Sequence, residues 1–204
     1  MESLKQFGIL PLFDPGEGTT VIEPPGAGAG YWVGGCSANF GPEGGMVHLY
    51  YRTLKPISEG RGGLCSVVRS ADGVNFEWQG EVLPPGDSWD SKLTRADTMA
   101  YVPPGFTVLY GGRSGIEETY EDRTGIVVSF DLKTFQKLTP HKPALQSVRA
   151  TGSLRYSDIV VLDDSYVFYY ECVRADGAHE IRMNHVPKNN CEHSGVRSAR
   201  QASQ

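Results

Sequence analysis

The sequence predicts an all-β chain made of four-stranded antiparallel units that repeat about every 60 residues. Three observations carry this. The segments MVHLYYR (46–52), FTVLYGG (106–112) and YVFYYEC (166–172) hold Met46, Phe106 and Tyr166, and again Tyr50, Tyr110 and Tyr170, in one register. All three are rich in β-branched and aromatic residues, the composition of strands. No stretch keeps a 3.6-residue apolar period with helix caps, while 25 Gly and 13 Pro among 204 residues supply many tight turns.

Within each unit the elements follow in order. The first strand is YWVGGCSANF, then LTRADTMAYV, then GSLRYSDIVVL, and each runs into a turn: GPEGG, PPG and Asp163-Asp164-Ser165. The landmark strand comes second. The third strand opens the hairpins LCSVVRSADGVNF and GIVVSFDLKTF, which share Ser70, Asp72 and Phe76 with Ser129, Asp131 and Phe135; the third copy, HEIRMNHV, is plainer. An outer strand recurs as GEGTTVIEPPG (16–26) and FEWQGEVLPPG (76–86). Four antiparallel strands repeated in line describe propeller blades. They are expected at 27–86, 87–146 and 147–190, with an N-terminal outer strand at 16–23 and an unstructured tail at 191–204. Three blades leave sheet faces and edges bare. The ring is therefore expected to be completed by further chain or by another subunit, with the strand at 16–23 available to pair with a last blade.

Composition removes several function classes. A net charge of −5 with 21% charged residues gives no basic footprint for nucleic acid. The apolar run FGILPLF (7–13) is too short for a signal peptide or a membrane span, so a cytoplasmic address without membrane contact is expected. Cys36, Cys65, Cys172 and Cys191 show no CxxC spacing and read as buried free thiols, a disulfide being open only to a secreted protein. His185, Cys191 and His193 are too loosely spaced for a metal. With no phosphate loop, dinucleotide fingerprint or nucleophile elbow, no cofactor is expected.

The stretch from Trp32 to Phe76 resembles the five-bladed β-propeller glycosidase superfamily, which includes arabinanases, xylosidases, fructosidases and mannoside phosphorylases. The matching pieces are the small-residue strand Gly34 to Ala38, the LYYR strand, the Arg61-Gly62 turn and the R-S-x-D-G-x-x-F hairpin from Arg69 to Phe76. YYECVRADGAHEIR extends the likeness, which spans about residues 20–190. It implies an incomplete five-bladed propeller. It also implies a general base Asp, a helper Asp and a general acid Glu on inner strands.

In a propeller the first strand of each blade lines the central channel. The position eight or nine residues before the landmark is Ser37, Asp97 and Asp158 in the three blades. Glycoside hydrolysis needs two carboxyl groups with distinct roles. Asp97 and Asp158 are the candidate pair, with Arg95 and Arg155 close enough in sequence to neutralise them instead. Ser37 departs from the Asp that the resemblance implies there. Glu171 is the candidate acid, or an exposed strand residue facing Arg174. Asp14, in FDPG, reads as a turn. Glu117, Glu118 and Glu121 read as a solvated loop. Trp89 is the expected sugar platform, with Trp32 and Trp78 assigned to the core. Arg52, Arg113 and Arg155 are candidate hydroxyl or carboxylate clamps, and His179 is a candidate at the channel mouth. The expected function is glycoside hydrolysis by carboxylate acid/base chemistry on a carbohydrate. The alternatives are a non-catalytic carbohydrate-binding or scaffold propeller, or an inactive partial chain.

Overall fold

The computed structural model describes residues 14–41, 44–115 and 122–190. The FGILPLF run, Glu117, Glu118, Glu121 and the tail with Cys191 and His193 lie outside the described residues. The described chain is all-β and forms three antiparallel sheets. Strands β1 (Trp32–Phe40), β2 (Val47–Leu54), β3 (Gly62–Ser70) and β4 (Glu77–Leu83) make the first, in the order β1-β2-β3-β4. Strands β5 (Leu93–Val102), β6 (Gly105–Arg113), β7 (Arg123–Ser129) and the two-residue β8 (Gln136–Lys137) make the second. Strands β9 (Leu154–Val161), β10 (Ser165–Val173) and β11 (His179–Pro187) make the third, which has no fourth strand among the described residues. Each sheet is an up-and-down meander, the connectivity of a propeller blade.

Two sequence expectations need correction. Residues 16–23 form no strand: Pro15–Glu17 is one 3-10 turn, and the chain beyond it is irregular to Tyr31. A strand needs a partner edge, and none of the described strands pairs with this segment. Asp14 acts as a turn residue, its Oδ1 accepting from the Gly16 N–H at 2.8 Å. The second correction concerns register. Every first strand carries one extra residue against its neighbour: between Gly34 and Ser37, between Ala96 and Thr98, and opposite Tyr169–Glu171. Matching these bulges equates Ser37, Thr98 and Asp158, which pair with Tyr50, Leu109 and Tyr169. Asp97 is the extra residue of its own bulge, so it is not the counterpart of Asp158.

The apolar core lies between the first two blades. Tyr50, Cys65, Val67, Val82 and Leu83 meet Trp89, Val108, Tyr110, Val127 and Leu132, all buried. The Tyr50 hydroxyl donates to the Leu132 carbonyl at 3.0 Å, which satisfies a buried donor across the junction. Leu132 stands in the left-handed region, φ 58°, at the tip of the Asp131 hairpin, and its side chain is fully buried. Burial of that side chain offsets a backbone cost of about 1–2 kcal/mol. Both Ser-x-Asp hairpins are closed by their carboxylates. Asp72 Oδ1 accepts from Val74 and Asn75 N–H, and Asp131 Oδ1 from Lys133 and Thr134 N–H. Cys36, Cys65 and Cys172 are free, with Cys36 exposed, and burial pushes the Cys65 thiol up to about 11.

Between the second and third blades the contact is polar. The Thr124 hydroxyl, fully buried, donates to the Leu154 carbonyl and lies 3.0 Å from the Ser157 hydroxyl.

Candidate functional site

The inner strands β5 and β9 run side by side, and their bulges face each other. A bulge turns a side chain away from its regular direction. At β5 it directs Asp97 toward β9, where Asp97 Oδ2 accepts from the Ser157 N–H at 3.3 Å. One residue on, the Thr98 hydroxyl donates to Asp158 Oδ1 at 2.6 Å. The candidate pair is thus brought to one junction in unlike settings. The Asp97 side chain is 2% exposed and ion-paired with Arg95 at 2.8 Å, whereas Asp158 is exposed. Burial raises the Asp97 pKa above the usual carboxylate value, with the Arg95 guanidinium and the Ser157 N–H pulling against it.

Arg95 is the hub of this junction. It also holds Asp122 at 3.0 Å, and Asp122 lies 3.9 Å from Arg113. Burial works against the Arg95 charge, but Asp97 and Asp122 outweigh it and raise its pKa. Gly111, paired with Arg95 across the ladder, makes room for it: a Cβ there would stand 2.9 Å from Arg95 Nη2. Arg52 is largely buried in the neighbouring blade, its guanidinium 5.3 Å from the Trp32 ring centroid. Burial and the nearby Arg95 charge hold its pKa below the ordinary arginine range.

The guanidinium groups of Arg95 and Arg155 lie 4.3 and 4.9 Å from the centroid of the Tyr156 ring. Its φ is 52° and the residue is 54% exposed. A non-glycine residue held in the left-handed region costs of order 1–3 kcal/mol, and such strain concentrates at functional positions. On the other side of β9, Glu171 Oε1 accepts from Arg155 at 2.6 Å and lies 2.7 Å from His179 Nδ1. Glu171 therefore faces Arg155 and His179 and not Arg174, which pairs with Asp176.

The aromatic expectations are reversed. Trp89 is 6% exposed, stacks on Tyr110 with centroids 5.4 Å apart, and donates from Nε1 to the Thr139 carbonyl at 3.1 Å. The fixed linker between blades folds it inward, so it offers no platform. Trp32 and Trp78 are exposed instead. Ser37 is half-buried beside the bulge of β1. The arrangement brings together Asp97, Asp158, Arg95, Arg155, Glu171 and His179. Tyr156, Thr98 and Asp122 were not singled out by sequence. The 60-residue spacing of Arg95 and Arg155 was the available signal for Tyr156. No group of three or more His, Cys, Asp or Glu among the described residues is arranged to hold a metal.

Comparison with known proteins places this geometry on a known fold. No family model matches the chain, and no curated protein matches it. Solved structures do. A family 117 glycoside hydrolase from the marine bacterium Zobellia galactanivorans matches with a TM-score of 0.56 at 10% identity, over 73% of this chain and 50% of its own. A putative glycoside hydrolase from Bacteroides ovatus matches at 0.54 and 17% identity, over 76% of this chain and 46% of its own. A further glycoside hydrolase matches at 0.55 and 14% identity, over 75% and 53%. The likeness establishes a propeller fold shared with glycoside hydrolases, and this chain spans about half the length of those structures.

Proposed function

We propose that this chain supplies part of the carbohydrate site of a glycoside hydrolase, with Asp158 as the carboxylate that meets the sugar. The observation that carries the reading is the pair of adjoining carboxyls in opposite settings. One is sealed against Arg95, and the other is open and oriented by a hydroxyl. Acid/base chemistry on a glycosidic bond needs two carboxyl groups in distinct roles, of which the open Asp158 would supply one. Asp97 is a positioning residue here. Its bond to the Ser157 N–H fixes the bulge from which Asp158 projects. Glu171 accepts from Arg155 and lies against His179, so its role here is to anchor those two side chains. Tyr156, exposed beside the guanidinium groups of Arg95 and Arg155, offers its ring as the sugar platform. The whole reaction then needs a second catalytic group from outside the described residues.

The test is a screen of aryl glycosides with the wild type, Asp158→Asn and Asp97→Asn. Loss of a general acid or base lowers turnover by about 10²–10⁴, which is the expectation for Asp158→Asn. Equal turnover in wild type and Asp158→Asn would sink the assignment. The competing reading is a carbohydrate-binding propeller without cleavage, favoured by the locking of both Asp97 and Glu171 to arginine. It predicts sugar binding that Tyr156→Ala weakens, with no turnover in any variant.

A further inference from the structure

We propose that the seam between the first two blades carries a second ligand site, for a small oxyanion of the sulfate or phosphate kind, built on His48, Arg69 and Lys133. The inference is independent of the catalytic reading.

The site is a cavity of about 210 Å³ whose walls come from two packed blades. His48 of β2 and Arg69 of β3 line it from the first blade, and Phe130, Asp131 and Lys133 line it from the second. Asp122 stands at the start of β7, whereas Asp131 and Lys133 follow its end. The length of that strand, about 20 Å, therefore separates this cavity from the Arg95 cluster.

The first argument is His48 itself. The residue is 5% exposed, and neither ring nitrogen has a hydrogen-bond partner. Buried polar groups are nearly always paired, and a neutral imidazole carries one donor and one acceptor to satisfy. The blade repeat does not ask for a histidine at this place. In bulge-matched register its counterparts are Thr107 and Val167, neither of which ionises. The ring is peculiar to this cavity.

The second argument is charge. Arg69 stands directly opposite His48 in the β2–β3 ladder, and Lys133 approaches from the hairpin of the second blade. Burial, then Lys133, then Arg69 hold the His48 pKa below the ordinary histidine value. Asp131 pulls weakly the other way, as does the Met46 backbone, which falls short of hydrogen-bond geometry. The nearby carboxylates are already engaged. Asp131 accepts from the Lys133 and Thr134 N–H groups and from the Thr134 hydroxyl. Glu77 pairs with Arg69 at 3.2 Å, out in solvent. Two cations and an unpaired imidazole thus share one cavity with no uncommitted acid to answer them. An oxyanion seated there accepts from the ring and lies beside both cations. It also favours the imidazolium, so binding takes up a proton and tightens as pH falls. Phe130, 67% exposed, offers a face to whatever carries the anion.

The experiment is NMR of the full chain titrated with sodium sulfate, whose charge does not change near neutral pH, against sodium chloride at equal ionic strength. Amides of the Asp131 hairpin report binding, and the His48 ring reports the proton. The expected result is a saturable upward shift of the His48 titration midpoint, with binding several-fold tighter at about pH 6 than at about pH 8. Lys133→Met, at an exposed position, is expected to weaken sulfate binding by on the order of tenfold. His48→Leu removes an unsatisfied buried group, so it is expected to keep its thermal midpoint and lose the pH dependence. Phosphate and glucose 6-phosphate, compared at one pH, tell a free anion from one carried on a sugar: a preference for the ester that Phe130→Ala abolishes assigns the sugar, and equal binding assigns the free anion. A His48 midpoint unmoved by sulfate overturns the proposal. So does a shift that chloride reproduces, or one that Lys133→Met leaves intact.

Discussion

Replacing Lys137 with methionine is expected to destabilise the protein by about 3–5 kcal/mol, the cost of removing one partner from a buried ion pair. Lys137 Nζ lies 2.6 Å from Asp90 Oδ2 and donates to the Pro84 carbonyl, also at 2.6 Å. The Asp90 side chain is fully buried, and its other partner at that oxygen is the Tyr110 hydroxyl at 3.0 Å. Methionine keeps the volume of the lysine stem and removes only the charge, so Asp90 is left with one neutral donor. Lys137 belongs to β8, a strand of two residues, so the ion pair also ties the outer edge of the second blade to the linker from the first. Tyr110→Phe removes the weaker partner and is expected to cost about 1–2 kcal/mol. Both are read from urea unfolding as shifts in midpoint at constant slope. Against a typical total of about 5–15 kcal/mol, the lysine variant should be close to unfolding at moderate temperature. A Lys137→Met midpoint within about 1 kcal/mol of wild type, or a larger loss for Tyr110→Phe, would refute the assignment of the ion pair as the main tie.

Two further predictions concern the hairpins and the core. Burial tends to raise the Asp131 pKa, but the N–H groups of Thr134 and Lys133 outweigh it and lower the value in the folded state. Its stabilisation is therefore present above the ordinary carboxylate pKa and lost as pH falls through the lowered folded value. Asp131→Ala is expected to cost about 1 kcal/mol at neutral pH and to flatten the acid limb of a stability-versus-pH curve, which denaturation below pH 5 will check. At Gly125, an added Cβ would collide with the Tyr110 ring that covers it. Gly125→Ala is expected to cost about 1–3 kcal/mol by overpacking, read as a lowered thermal midpoint, and an unchanged midpoint would show that the ring can move aside.

The blade order was legible because Tyr50, Tyr110 and Tyr170 mark each second strand, and because alternation and turn residues are local properties. The site was only partly legible. A constant step of 60 aligned Ser37 with Asp97, but one bulge residue per inner strand breaks that count. Between the first two blades the inner strand advances by 61 and its partner by 59. Bulges depend on ladder pairing, which a linear alignment does not contain. Trp89 reads as a loop residue and is buried because the linker folds over Tyr110, a long-range event. Asp122 reaches Arg95 across 27 residues of chain. Its role follows from the β6–β7 pairing and not from the acidic loop in which it lies.

Among the described residues the middle blade is sandwiched, and each end blade packs against it alone. Such a chain behaves as a short one-dimensional array, in which each unit is held by itself and by what adjoins it. Opening therefore proceeds from the termini inward. Amide exchange should be slowest at the centre of β6 and β7 and fastest in β1 and β11. Of the two ends, the third blade is the first to let go, since a junction of shared hydroxyls gives water easier entry than the apolar seam around Tyr50 and Leu132. The residues proposed to meet the sugar lie on that looser seam, so anything that seats there, a ligand included, would also serve as its rivet.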